Sequence, residues 1–219
     1  MALTKVRGSG LGTLGDGTAN DVKILFDGNA VDYHIGLDDS ADTLNIGKGS
    51  TLGTTTAMTF DTNGIITKPL QPAFYATGGA NNNIAVDGNR NFLEGSGSVA
   101  YDINSDTVLS DNVSFSPGDV RYFVAPVTGQ YIFTFRVRLD DIATDQTYIW
   151  LYLRTAARNY TMAMFDPDAF DSSPAYWALQ GTVIADMDAN DTAYPLIYIA
   201  GGSSTTDADS YEFSGQLIG

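Results

Sequence analysis

Nucleophilic and acid–base chemistry has few starting points in this chain. It holds one histidine, His34, and no cysteine. Thiol nucleophiles, disulfides and cysteine-based zinc sites are therefore excluded. A Ser-His-Asp arrangement would have to use His34. That residue sits in Val31-Asp32-Tyr33-His34-Ile35-Gly36-Leu37, where Val31, Tyr33, Ile35 and Leu37 alternate with Asp32, His34 and Gly36. Period-two spacing marks a strand and reads as a histidine on its polar face rather than a catalytic base. Aspartate is abundant, but no pair stands out as acid and base for glycoside hydrolysis.

Two glycine motifs fail on context. Gly10-Leu11-Gly12-Thr13-Leu14-Gly15 matches the dinucleotide fingerprint, yet no strand precedes it and Asp16–Asp21 is a poor helix. Ile46-Gly47-Lys48-Gly49-Ser50 resembles a phosphate loop, but Gly49 stands where Ser or Thr must follow the lysine. Asp186-Met187-Asp188-Ala189-Asn190-Asp191 opens like a calcium loop. Asp191 replaces the turn glycine and Ile197 the bidentate glutamate, so it is not an EF-hand. A looser calcium site built from Asp186, Asp188 or Asp191 stays open, beside the plainer reading of a polar turn. Asp166, Asp168 and Asp171 form a second acidic loop with the same two readings.

These residues need elements to hold them, and composition names the type. Of the 26 acids, 24 are Asp and only Glu94 and Glu212 are Glu. Asp favours turns and caps where Glu favours helices. With 23 Gly, 12 Tyr and 11 Phe, the chain reads as strands joined by turns. A net charge of −15 argues against a nucleic-acid partner. The longest apolar run, Tyr148–Leu153, is far short of the ~20 residues a membrane helix needs, so no membrane insertion is expected. The first eight residues lack the apolar stretch of a secretory signal.

Three segments follow. All four lysines lie within residues 1–68, which carry a net charge of −3, against −12 for residues 69–219. The Pro69 and Pro72 pair between them favours an extended connector. Residues 1–20 are glycine-rich and read as a flexible or partner-ordered tail. Residues 21–68 read as short strands (Val22–Phe26, Val31–Leu37, Thr43–Ile46, Met58–Phe60, Ile65–Thr67), too small for a core of their own and expected to use neighbouring copies for burial. Residues 69–219 read as ten strands: Ala73–Ala76, Val99–Ile103, Val113–Phe115, Tyr122–Val124, Gln130–Leu139, Tyr148–Arg154, Tyr160–Phe165, Tyr176–Ile184, Tyr194–Ala200 and Tyr211–Ile218. The class is all-β, with a ten-stranded jelly-roll sandwich at the C-terminus.

A spaced set carries a resemblance. Phe123-Val124-Ala125-Pro126-Val127-Thr128-Gly129-Gln130-Tyr131-Ile132-Phe133 and the closing Phe213-Ser214-Gly215-Gln216-Leu217-Ile218, with Phe74-Tyr75-Ala76 ahead, resemble the globular head domain of complement subcomponent q in the tumour-necrosis-factor-like superfamily. The resemblance implies a jelly-roll head that associates as a homotrimer. It marks Phe123, Pro126, Gly129, Tyr131, Phe133, Phe213 and Gly215 as the head's structural motif, with Gly129 permitting a tight turn after Pro126 and letting the long strand begin. Asp27-Gly28, Tyr33–Gly47 and Gly53–Met58 are similar to repeats in bacteriophage fibre proteins. That likeness implies a non-enzymatic virion fibre of tail or capsid: a tail segment docked on other virion proteins, a trimeric stalk over 21–68, and a head for host attachment to a receptor or glycan. The alternative is a decorating structural protein without receptor binding. Aromatics around Phe165–Trp177 are candidate contacts; for any one of them, a core or trimer contact is the plainer reading. No cofactor is expected apart from the open calcium question.

Overall fold

The computed structural model describes residues 14–94, 97–103, 114–115 and 122–219. The chain divides into two compact units, Met1–Leu70 and Gln71–Gly219.

The described part of the first unit is an antiparallel meander of β1 (Val22–Phe26), β2 (Tyr33–Asp38), β3 (Thr43–Lys48), β4 (Thr56–Phe60) and β5 (Ile66–Thr67) in sequence order. Its turns use Asp in ways Glu cannot match. Asp42 is left-handed at φ 52, and Asp38 and Asp61 accept backbone N–H groups through their carboxylates. The two faces differ in an unexpected sense. His34, Gly36, Asn45 and Gly47 are buried, while Tyr33, Ile35, Leu37 and Leu44 are exposed. The cause is the β3–β4 connection, residues 49–55, which folds over the polar face. His34 Nδ1 lies 2.8 Å from the Gly49 carbonyl oxygen, and Lys23 Nζ donates to the Ser50 carbonyl. Gly47 must lack a side chain because a Cβ there would sit 2.7 Å from the His34 ring. Placing His34 on the polar face is right as alternation, but that face is the covered one.

The second unit is a two-sheet sandwich. One sheet runs β10 (Ser114–Phe115), β9 (Gly97–Ile103), β6 (Ala73–Gly78), β17 (Thr206–Leu217), β12 (Gly129–Asp140) and β15 (Tyr176–Met187), with β7 (Asn81–Ile84) also paired to β17. The other runs β11 (Phe123–Val124), β16 (Thr192–Ala200), β13 (Tyr148–Thr155) and β14 (Asn159–Phe165), with β8 (Asn89–Asn91) paired to β16. Single 3-10 turns lie at Phe92–Glu94 and Pro167–Ala169.

The all-β sandwich agrees with the sequence reading, and the strand count does not. Twelve strands are present among the described residues, not ten, because β7 and β8 come from Asn81-Asn82-Asn83-Ile84 and Asn89-Arg90-Asn91. Asparagine-rich segments look like turns. Here they pair with the sheets, and Arg90 Nε and Nη2 both donate to the buried Asn81 Oδ1 at 3.0 and 2.7 Å. Strand ends also shift: β17 begins at Thr206 and β15 runs on to Met187. Val113 of the expected third strand lies outside the described residues.

The core lies between the sheets. Tyr131, Phe133, Phe135, Val137 and Leu139 all point inward at 0% exposure, opposite Ile149, Leu151 and Leu153. Phe74, Phe123 and Phe213 fill the space around Phe133, with ring centroids 5.0–6.3 Å apart. Such contacts add about 0.5–1.5 kcal/mol each beyond area burial.

Candidate functional site

The head motif residues form one structural knot rather than a reactive site. Phe123, Tyr131, Phe133 and Phe213 are fully buried and in mutual ring contact. Gly215 is paired with both Phe133 and Phe74, and a Cβ on it would lie 2.6 Å from Phe133 Cδ1 and 2.7 Å from Phe74 Cε1. Gly129 is the first residue of β12 and follows the bend at 126–128. It faces the chain end, where a Cβ would meet the Gly219 carbonyl oxygen at 2.8 Å. Pro126 lies in the β11–β12 connection, next to Val127, whose carbonyl accepts from the Tyr131 hydroxyl at 2.7 Å. Burial raises the Tyr131 pKa, partly offset by that bond.

Asp186, Asp188 and Asp191 border one shallow hollow with Gly129, Arg158 and Gly219. Their bonding is turn chemistry: Asp191 Oδ2 accepts from Asp188 N–H at 3.1 Å, and Asn190 takes the left-handed φ of 75. Asp166 likewise caps the second 3-10 turn through Asp168 N–H. Among the described residues, no three His, Cys, Asp or Glu side chains are grouped to hold a metal.

What the head does offer is two contrasting outer faces. On the seven-stranded sheet, registered rows cross several strands. Ile184, Ile132, Gln216, Ala73 and Ile103 form one row, and Thr182, Thr134, Ser214, Tyr75 and Tyr101 the next. Thr134 and Thr182 hydroxyls meet at 2.9 Å, and the Tyr75 and Tyr101 rings stack at 6.2 Å. Arg136 pairs with Glu212 at 3.1 Å in the row beyond. Burial, then the Glu212 charge, raises the Tyr75 pKa.

The outer face of the five-stranded sheet carries an aromatic strip. Ile149, Leu151 and Leu153 point into the core, so Tyr148, Trp150 and Tyr152 lie on the other side, where Tyr148 and Trp150 are half-buried and Tyr152 is covered. Trp150 stacks on Tyr152 at 4.2 Å, and Tyr148 meets the β16 ring Tyr198 at a tilt, with centroids 6.0 Å apart. Trp150 Nε1 donates to Thr161 and Tyr152 Oη to Asn89. This strip coincides with the longest apolar run of the sequence, whose uniform hydrophobicity hides that its two sides serve different purposes. The aromatics at 165–177 separate: Phe165, Phe170 and Trp177 pack together at one edge, while Tyr176 is 63% exposed under the Arg138 guanidinium.

No protein-family model matches the chain, and no curated protein does. Among solved structures, the globular domain of zebrafish complement 1qA protein is similar. It shares 20% identity, covers 68% of this chain and 98% of that one, and gives a TM-score of 0.45.

Proposed function

We propose that the chain is a non-enzymatic virion structural fibre, of tail or capsid, that displays a homotrimeric jelly-roll head for attachment to a host-cell receptor or glycan. The observation that carries this reading is the contrast between the head's two outer faces. On the seven-stranded face the Ile132, Ile184 and Ile103 row carries no charge. An uncharged row on a chain of −15 is where like copies meet with least repulsion. The opposite face presents Tyr148, Trp150 and Tyr198 beside amide and hydroxyl groups, a chemistry suited to sugar rings. The N-terminal segment would then join the fibre to other virion proteins; its first 13 residues lie outside the described ones.

Sedimentation equilibrium at micromolar concentration tests the assembly. The expected mass is that of three 23.4 kDa chains. Ile132→Glu with Ile184→Glu is expected to shift the mass toward the monomer, and a monomeric wild type would overturn the reading. Binding of labelled protein to host cells, and its competition with adsorbing particles, separates attachment from decoration. Trimers that label particles yet neither bind cells nor compete would favour the decorating role.

A further inference from the structure

The first unit has almost no interior. Leu52 is its one fully covered large apolar side chain among the described residues. Its apolar side chains stand instead on the face left bare by the 49–55 connection. Ile24, Ile35, Ile46 and Met58 form one registered row across four strands. Val22, Leu37, Leu44 and Phe60 form a second, continued by Ile66. Phe26 and Tyr33 begin a third, which ends in Lys48, the one charged residue on these rows.

We infer that this face is a homomeric interface, packed against the same face of other copies of the chain around the fibre axis. This rests on the trimeric reading above. Exposures of 37–55% at Ile24, Phe26, Tyr33, Ile35, Leu37 and Leu44 amount to a patch on the order of 550 Å². That lies at the upper end of the roughly 300–600 Å² of the largest patch on an ordinary monomer. Ile66, 52% exposed, extends it toward the ~800 Å² per partner of a stable interface. Residues 14–20 lie against Val22 and Leu37 at one end of the face, and the rows beyond keep the exposures given above. No acid lies on these rows, so copies of this acidic chain meet here, as on the Ile132 row of the head, without carboxylates facing each other.

The chain lacks cysteine, so single cysteines report cleanly. Full-length Ile35→Cys, and Ile66→Cys at the end of the face as a milder variant, are compared with Ser40→Cys in an exposed turn. The expected result is a trimeric mass, maleimide labelling at least tenfold slower at 35 than at 40, and covalent dimers and trimers with a short bis-maleimide. A trimeric mass with labelling at 35 and 66 as fast as at 40 overturns this interface and leaves the fibre reading intact. Slow labelling without cross-linking shows that another segment covers the face, and also overturns it. A monomeric mass overturns the fibre reading itself.

Discussion

Tyr211 gives the sharpest test of the head's packing. Its side chain is 2% exposed, lies over Gly78, and packs against Phe92 and Phe135 at 5.5 and 6.2 Å. Its hydroxyl has no hydrogen-bond partner among the described residues. An unpartnered buried hydroxyl costs about 1–3 kcal/mol. Tyr211→Phe keeps the ring and removes that cost, at the expense of a void the size of one oxygen. The expected net gain is about 1 kcal/mol, or roughly 2–5 °C in a head of this size. Alkaline pH gives a second reading. Burial raises the Tyr211 pKa above its ordinary value. The unfolded chain therefore ionises first, so stability is intact below pH ~10 and falls above it by about 1.4 kcal/mol per pH unit from this residue. The phenylalanine variant loses that slope. Denaturant melts at pH 7.5 and at stepped values above 10, at one fixed protein concentration, measure both effects. A neutral-pH loss above 1 kcal/mol, or an unchanged alkaline slope, would refute the account of an unpartnered phenol.

Three further outcomes follow from the same geometry. Gly215→Ala forces a methyl group against Phe133 and Phe74 and is expected to cost about 1–3 kcal/mol, partly recovered in a double variant with Phe133→Leu, as read by thermal melts. Asp191→Ala removes the bond to Asp188 N–H and is expected to cost about 0.5–1.5 kcal/mol, while a chelator leaves the midpoint of the wild type unchanged; a chelator-induced drop would show the loop acids holding a cation. Trp150→Ala is expected to reduce binding to host cells by tenfold or more with no change in oligomer mass, and unchanged binding would remove the aromatic strip from the attachment surface.

Alternation made most of the fold legible. The spacing of Tyr131, Phe133, Phe135, Val137 and Leu139 places β12 with its inner face, and the Asp and Gly turns bracket every strand of the N-terminal meander. What alternation cannot say is which face is covered. In β2 the apolar side is the bare one, because a connection eleven residues or more along the chain covers the polar side. The same blindness hid the aromatic strip, where both sides of β13 are apolar and only the inner one meets the core. β7 and β8 were illegible for another reason: their pairing comes from distant strands, and the buried positions are taken by asparagines, Asn81 accepting from Arg90, rather than by apolar residues that would show alternation. The motif rings Phe123, Tyr131, Phe133 and Phe213 lie in one buried cluster, and Gly215 leaves room for Phe133 and Phe74.

The Asp-for-Glu bias has a geometric meaning that one substitution tests. Asp61 Oδ1 accepts from Ile65 N–H at 2.7 Å and Asn63 N–H at 2.8 Å, closing the turn between β4 and β5. The Ile65 bond is the main cause that lowers the Asp61 pKa. A carboxylate one methylene further from the backbone cannot hold both groups in so tight a ring. Asp61→Asn keeps an oxygen in place, whereas Asp61→Glu keeps the charge and loses the reach. Amide exchange at Ile65 is therefore expected to quicken by about tenfold in the Glu variant and by less in the Asn variant, which keeps the reach and loses the charge. Because the folded pKa is lowered, the turn's protection is complete above pH ~4 and fades as pH falls through the folded value. If Glu protected Ile65 as well as Asp does, charge rather than reach would explain the composition, and the 24 aspartates would be solvation instead of turn architecture.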